Sequence, residues 1–551
     1  MKTIQANSLI RFLIALPLFL MICPDTSSGA CQPVSSFEQS PGSNQYLLTS
    51  DRLGNNPDCF DEIMRAIPEG ARIELGPGRF LTRGAWNIYA PVSSIGFNVK
   101  TGWRLYGQGV GKTVLTMAVA PPEGMNYILA SPRGWAMSPT SNYQYQMREG
   151  TTLIRTRKDY LVHDVHIHSM TLDCVGANIA KSAPVKADRS NDLTLGGVYL
   201  FGNNITVENI QVINSVSRMM IGGKSAKELF TVYVSGHPAN EPDRDSQGFP
   251  SNPAQLANVQ IRNVVIDQYQ GGYCSGITVT GETGGVVENC RVILRGDTPE
   301  KLGNGGAQFG LNLSGRGTYG VTFRNNYIEN AARGLNNDTG PNAMVSIIGN
   351  EFNNCGVGIA LTALCGGSRH EAVRNDQGQV VRSIVENNTI RLSPRPNQAS
   401  QRAGIAINPR IETLPDFNHR WSGAYGITVK NNTIYNAENK TGLENWGIVL
   451  GVVPSSQPGN EFWSYDNIVE GNKLYDNEDG QPLFNVIANV PDQKDSNQQM
   501  VFNTIARQDP NVRMSKKGFI FKSWKNNGTA PVSAEFPASR ILNSFRGAAA
   551  K

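Results

Sequence analysis

Val385–Ile390 reads "VENNTI", Val429–Ile434 reads "VKNNTI" and Val469–Leu474 reads "VEGNKL". Each hexamer has an apolar residue at both ends and a small polar step in its middle. Two explanations compete. Asn387-Asn388-Thr389 fits the Asn-x-Thr sugar-attachment signal, while recurrence along the chain points to periodic structure. Extending the alignment decides between them. Nine instances fall in line: "IHSMTL" from 167, "VENIQV" from 207, "IRNVVI" from 261, "VENCRV" from 287, "FRNNYI" from 323, "IIGNEF" from 347, and the three above. Their third residues are Ser169, Asn209, Asn263, Asn289, Asn325, Gly349, Asn387, Asn431 and Gly471. A glycosylation signal makes no demand on apolar flanks at fixed offsets, and most copies lack its Ser or Thr. The hexamer is architectural.

A second pattern follows the hexamers, a glycine-led alternation: "GVYL" (197), "GITV" (276), "GLNL" (310), "GLNN" (334), "GIAL" (358), "GIAI" (404) and "GIVL" (447). Alternation with period two means strands with one buried face. The closest hexamers lie 24 residues apart (323 to 347), then 26 (261 to 287). Strands coiling at that period, with Asn or Gly at the bends, make a parallel β-helix, a solenoid in which each coil buries its face against its neighbours. Asparagine suits a bend because it tolerates left-handed backbone, and stacked amides can hydrogen-bond along the axis. At about 4.8 Å per coil, nine coils make a rod on the order of 45 Å long. Solenoids grow by stacking, so 551 residues are read as one domain rather than three or four.

The expected organisation is a signal peptide (1–30), an N-terminal extension (31–58), the β-helix with its N-terminal cap (59–490), and a C-terminal cap and tail (491–551). The cap begins with a short helix, "CFDEIMRAI", followed by "ARIEL", the turn "GPG" and "RFLTRG". The signal peptide rests on Lys2, Arg11, the apolar run Phe12–Ile22 and small residues before Cys31. Cys31 would then be the first mature residue, which raises lipid attachment. Ser28 stands where lipoprotein signals carry leucine and argues against it. No later segment is apolar and long enough to span a membrane. The expected location is secreted, periplasmic or cell-surface. Removing Lys2, Arg11 and Asp25 takes the formal charge from +5 to +4, with basic residues scattered, so nucleic acid is excluded as a partner. In an oxidising compartment Cys31/Cys59, Cys274/Cys290 and Cys355/Cys365 are plausible disulfides, leaving Cys174 over as a buried thiol. Abundant glycine and only 17% charged residues favour short strands and turns over helices.

The stretch "IPEGARIELGPGRFLTRG" followed by "WRLYGQGVGKTVLTM" resembles the N-terminal coils of the pectate-lyase-like superfamily of secreted right-handed parallel β-helix proteins. The specific match covers residues 59–117, and the coil pattern extends it to about 490. The resemblance implies an all-β, right-handed parallel β-helix and a polysaccharide partner. It implies no particular reaction. The Asp-Asp pair, Gly-His-Gly and Arg-Ile-Lys of polygalacturonases are missing, "GHP" at 236 being the nearest, and no acidic cluster of the calcium-binding kind is evident. No catalytic residue of the family transfers by position. Calcium stays open as a cofactor, and no other is called for.

Two motifs have plainer readings than they invite. "GQGVGKT" (Gly107–Thr113) has three residues between its glycines where a phosphate loop needs four, and a strand pattern follows it. It reads as a turn between coils. In "HDVHIHS", Val165 and Ile167 point inward, so His166 and His168 share an outer face, without a third ligand nearby. They read as surface histidines.

Loop length points to the site. From the glycine-led strand to the next hexamer the chain uses six residues early (Leu200 to Val207) but twenty-three, twenty-one and eighteen later (Leu361 to Val385, Ile407 to Val429, Leu450 to Val469). Neighbouring coils would set these loops side by side, walling a groove along the glycine-led face. The first loop carries Arg369, His370, Glu371, Arg374 and Asp376; the second carries Arg410, Glu412, Asp416, His419 and Arg420. Asn312, Asn336, Asn337 and Asp338 come from neighbouring strand ends.

Two chemistries suit that inventory. In β-elimination, Arg410 or Arg420 would neutralise a uronate carboxylate while His419 or His370 removes the C5 proton. Hydrolysis would draw a carboxyl pair from Asp338, Glu371 and Asp416. Asn312, Asn336, Asn337, Arg369 and Arg420 would bind substrate. The expected function is a polysaccharide lyase or epimerase ahead of a glycoside hydrolase, acting as a monomer. The alternative is a non-catalytic carbohydrate-binding or surface-structural protein, because Ala360, Ala406 and Val449 point outward where a catalytic strand would carry polar groups.

Overall fold

The computed structural model describes residues 31–53, 56–84, 96–118, 124–131, 161–175, 193–218, 229–243, 250, 252–269, 274–295, 308–313, 318–337, 342–361, 382–393, 402–407, 423–436, 445–450, 463–465, 467–475, 483–487, 498–501, 504–505 and 521–525. Nearly all of its strands join one continuous parallel sheet wound into a right-handed β-helix. The first half of each hexamer forms a strand on the first face, the second half a strand on the second, and the glycine-led segment a strand on the third. Coil follows coil in strict register on the first face: Val207, Ile261, Val287, Phe323, Ile347, Val385, Val429 and Val469 stand above one another. All eight are fully buried. Val292, Ile328, Phe352, Ile390 and Ile434 line the second face in the same way, and Ile277, Leu311, Leu335, Ile359 and Ile405 the third.

The hexamer's two polar positions divide the work of the bend between them. All nine third residues are left-handed, with φ between 51° and 64°. Asn and Gly occupy eight of the nine because most side chains resist that conformation. The fourth residue points inward and makes the amide stack. Asn326, Asn350, Asn388, Asn432 and Asn472 lie on successive coils, each Nδ2 donating to the next Oδ1 at 2.9 Å. Asn350 also donates to Phe323 O at 3.0 Å, and its Oδ1 accepts from both the backbone N–H and Nδ2 of Asn326. That exhausts an asparagine's two donors and two acceptor sites. Earlier coils carry Met170, Ile210, Val264 and Cys290 at the same position.

The leading glycines answer to space rather than to backbone angle. A Cβ at Gly276, Gly310, Gly334, Gly358 or Gly404 would come within 2.3–2.6 Å of Val292, Ile328, Phe352, Ile390 or Ile434 across the corner. The second and third faces meet too closely there for any side chain.

The cap helix runs Pro57–Ala66, with Asn56 accepting from the N–H groups of Asp58 and Cys59 at 3.1 and 3.4 Å. Its Phe60 packs on Phe80 and Phe97, with ring centroids 5.4 and 5.8 Å away. The solenoid reaches past both expected boundaries. Gln45–Leu48, in the expected extension, pairs with Arg72–Leu75, and at the far end Phe521–Lys525 still pairs with Gln498–Val501. Cys31–Cys59 forms and ties the extension to the cap helix. The other two expected disulfides do not form: Cys290 and Cys355 are free, as is Cys174. Cys290 and Cys355 face the coil interior, where burial pushes both thiols up to about 12. Among the described residues no helix is long and apolar enough to cross a membrane.

Candidate functional site

On the third face, the residue two places after each glycine lies on the opposite side of the strand from the core. With Tyr233, whose strand has Thr231 in place of the glycine, that column runs Tyr199, Tyr233, Thr278, Asn312, Asn336, Ala360 and Ala406 in continuous register. These outward positions are buried, none exceeding 7% exposure. The column is aromatic, then polar, then alanine. Its polar section is where the chemistry collects.

Arg333 Nη1 donates to Asn336 Oδ1 at 2.6 Å, and Asn336 Nδ2 donates to Asn312 Oδ1 at 3.0 Å. There the chain of bonds stops. Asn312 Nδ2, Thr278 Oγ1 on the adjoining coil and Ser275 Oγ have no partner, although all three side chains are fully buried. A buried polar group left unpaired costs about 1–3 kcal/mol, so three on adjoining coils require an explanation. The strand supports them well, since Ile277 and Leu311 anchor its other side in the core.

The aromatic section adjoins this polar one, Tyr233 standing in register with Thr278. Tyr199 and Tyr233 stack with centroids 4.5 Å apart and planes at 19°. Phe201 lies 5.5 Å from Tyr233 and 6.2 Å from His237. His237 Nε2 meets Ser235 Oγ at 2.9 Å, and desolvation lowers the imidazole to about 4, so it is neutral at pH 7. Flat rings beside amide and hydroxyl groups suit a sugar, which offers apolar C–H faces and hydroxyl edges together.

Of the expected site residues, Asn312 and Asn336 come together. Asn337 follows Asn336 in the strand and so takes the inward place, in register with the core residues Leu313 and Leu361. Asp338, Arg369, His370, Glu371, Arg374, Asp376, Arg410, Glu412, Asp416, His419 and Arg420 lie outside the described residues. Ala360 and Ala406 hold the outward column as expected and, like Thr278, Asn312 and Asn336, are buried. Val449 is in register with Ala406.

Sequence reasoning passed over Ser275, Thr278, Tyr199 and Tyr233. Three of these lie in or beside the quoted glycine-led segments, where "GVYL", "GITV", "GLNL", "GLNN", "GIAL" and "GIAI" read at their third letter run from tyrosine through a polar section to alanine. On the first face His166 and His168 do share an outer surface, with rings 4.8 Å apart. His166 pairs with Glu208 at 2.8 Å, and desolvation, the largest cause, lowers the His168 pKa. Among the described residues no three His, Cys, Asp or Glu side chains converge to hold a metal ion.

No family model matches the chain, and no curated protein does. Among solved structures it is similar to PfbA, a surface adhesin of Streptococcus pneumoniae, at 12% identity over 89% of this chain and 94% of that one, with a TM-score of 0.44. It is also similar to the A-module of the mannuronan C-5 epimerase AlgE6 of Azotobacter vinelandii, at 14% identity over 86% and 99%, TM-score 0.39. A family 28 exopolygalacturonase of Yersinia enterocolitica gives 10% identity over 88% and 79%, TM-score 0.43. These neighbours are pectate-lyase-like right-handed β-helix proteins. At such identities no residue corresponds to another with any force, and the site is read from its own geometry.

Proposed function

We propose that this chain is a secreted, polysaccharide-active β-helix protein that holds a glycan against the polar and aromatic section of its third face. The observation that carries the reading is the group of unpartnered buried atoms, Ser275 Oγ, Thr278 Oγ1 and Asn312 Nδ2, beside the stacked Tyr199 and Tyr233. Hydroxyl-rich ligands complete such groups, and the rings supply the apolar contact. The reaction proposed for the chain is elimination or epimerisation at a uronate, by side chains outside the described residues. Arg410 or Arg420 neutralises the carboxylate, and His419 or His370 takes the C5 proton. In elimination the electron pair forms the C4–C5 double bond as the O4 leaving group departs with a proton; in epimerisation a proton returns to C5 from the other face.

A second reading is favoured by one observation. The outward column turns to Ala360 and Ala406, without a reactive group, as a carbohydrate-binding protein would allow. Incubating the mature protein with a polysaccharide panel, with and without calcium, separates the readings. Ultraviolet absorbance of unsaturated product rising with reducing ends supports the lyase. Reducing ends alone shift the chemistry to hydrolysis by Asp338, Glu371 and Asp416. Binding without either signal but with uptake of solvent deuterium at C5 supports the epimerase, binding with none of the three signals leaves the non-catalytic protein, and no binding to any glycan overturns the proposal.

A further inference from the structure

The direction of the third-face amides follows from chemistry. A guanidinium has donors and no acceptor, so Asn336 must turn its Oδ1 to Arg333, as it does at 2.6 Å. Its Nδ2 is then committed to Asn312 Oδ1 at 3.0 Å. Asn312 is left with both N–H groups of its Nδ2 unpaired and no freedom to reverse, because reversal would set two Nδ2 groups against each other. Thr278 Oγ1, in register with Asn312, and Ser275 Oγ, in register with Phe309 and Arg333 on the following coils, are unpaired too. The cation at one end also polarises each amide toward donation at the other.

Resting on the glycan reading above, we propose that Arg333 is a positioning residue which fixes Asn312 as a hydrogen-bond donor. Asn312 Nδ2 and Thr278 Oγ1 together receive an acceptor oxygen of the glycan. That oxygen belongs to a carboxylate or to a hydroxyl, and the site discriminates against ligands presenting only a donor there. Arg333 does not touch the ligand; it acts through two amides.

The test measures calorimetric binding of two probes, an oligogalacturonate and its carboxyl-reduced counterpart of equal length, together with melting midpoints of the unliganded full chain. Asn312→Asp, which keeps the acceptor for Asn336 and deletes the donor, is expected to weaken binding about tenfold or more. Arg333→Met is expected to lose about as much, while Arg333→Lys, also donor-only, retains affinity within about threefold. Thr278→Val removes an unpaired hydroxyl without changing shape, so it should raise the melting midpoint by about 1–2 °C while weakening binding severalfold. Loss confined to the acidic probe assigns the oxygen to a carboxylate, and equal loss on both assigns it to a hydroxyl.

A lowered midpoint for Thr278→Val, with Asn312→Asp binding like the wild type, overturns the inference while leaving the glycan reading in place. Wild-type protein that takes up neither probe nor any glycan of the panel sinks the glycan reading and the ligand half of the inference, and a panel glycan that does bind replaces the probes in the same variant series. A Thr278→Val midpoint that still rises would then retain the unpaired hydroxyl alone.

Discussion

Two columns of asparagine run through one rod and differ in how they end. The inner column, Asn326 to Asn472, closes on itself: Asn350, Asn388 and Asn432 each make four hydrogen bonds, to the amides above and below and to a backbone carbonyl. The outer pair, Asn336 and Asn312, begins on a cation and stops at an Nδ2 with no partner. Both columns are fully buried. Residue type and burial therefore say nothing about role here; completeness of bonding does. A finished network belongs to the fold, and an unfinished one invites a ligand.

The largest effect expected is from breaking the finished column. Asn388→Leu strands the backbone N–H and one Nδ2 hydrogen of Asn350 and the carbonyl of Ile347. It should cost about 4 kcal/mol or more in urea unfolding, and a loss under about 1 kcal/mol would show that the column matters little. Next comes a buried group whose bonds are made but whose charge is the difficulty. Asp61 accepts from Thr82 Oγ1 at 2.6 Å and from Arg83 N–H at 2.9 Å, yet burial raises its carboxyl from 3.8 to about 6.

Because the folded value lies above the ordinary one, folding favours the protonated form. That contribution is complete below about pH 4 and is lost as pH rises through 6, a change of about 3 kcal/mol. Urea midpoints of the cap from pH 4 to 7 should fall accordingly, and Asp61→Asn should flatten the slope. Smaller still is a test of space against backbone angle. Gly404→Ala drives a Cβ to 2.6 Å from Ile434 and should cost about 2 kcal/mol in the same assay. The smallest change is expected at Gly349, a left-handed bend where other coils carry Asn. Gly349→Asn should shift stability by no more than about 0.5 kcal/mol. If the two glycine variants cost the same, the distinction between corner and bend fails.

Periodic features of this chain were legible because repetition averages out local accident. Nine copies of the hexamer gave the bend, its left-handed residues and the coil register, and the apolar ends of "VENNTI" gave the core. What repetition could not resolve was which of two adjacent asparagines turns inward. Asn387 bends the backbone while Asn388 carries the column, and single-letter spacing treats them alike. The same limit applied to Asn336 and Asn337, which strand alternation sends to opposite sides. Cysteine pairing failed for another reason. Nearness in sequence suggested Cys274 with Cys290, but the latter occupies an interior hexamer position on a different corner of the coil. The unpaired atoms of Thr278 and Asn312 have no sequence signature at all, since a missing bond is a property of three dimensions.

Expressed as mechanics, the inner column makes the rod uneven along its length. Each interior amide fastens its own coil to two others, so pulling one coil from the C-terminal half must break several short bonds at once. The N-terminal half, with Met170, Ile210 and Val264 in the same places, keeps the parallel backbone ladder but has no interior amide to reinforce it. Under tension along its axis the molecule should extend in small steps at one end and in few, abrupt ones at the other. It is a spring with two stiffnesses, and the unfinished amide pair sits near where they join.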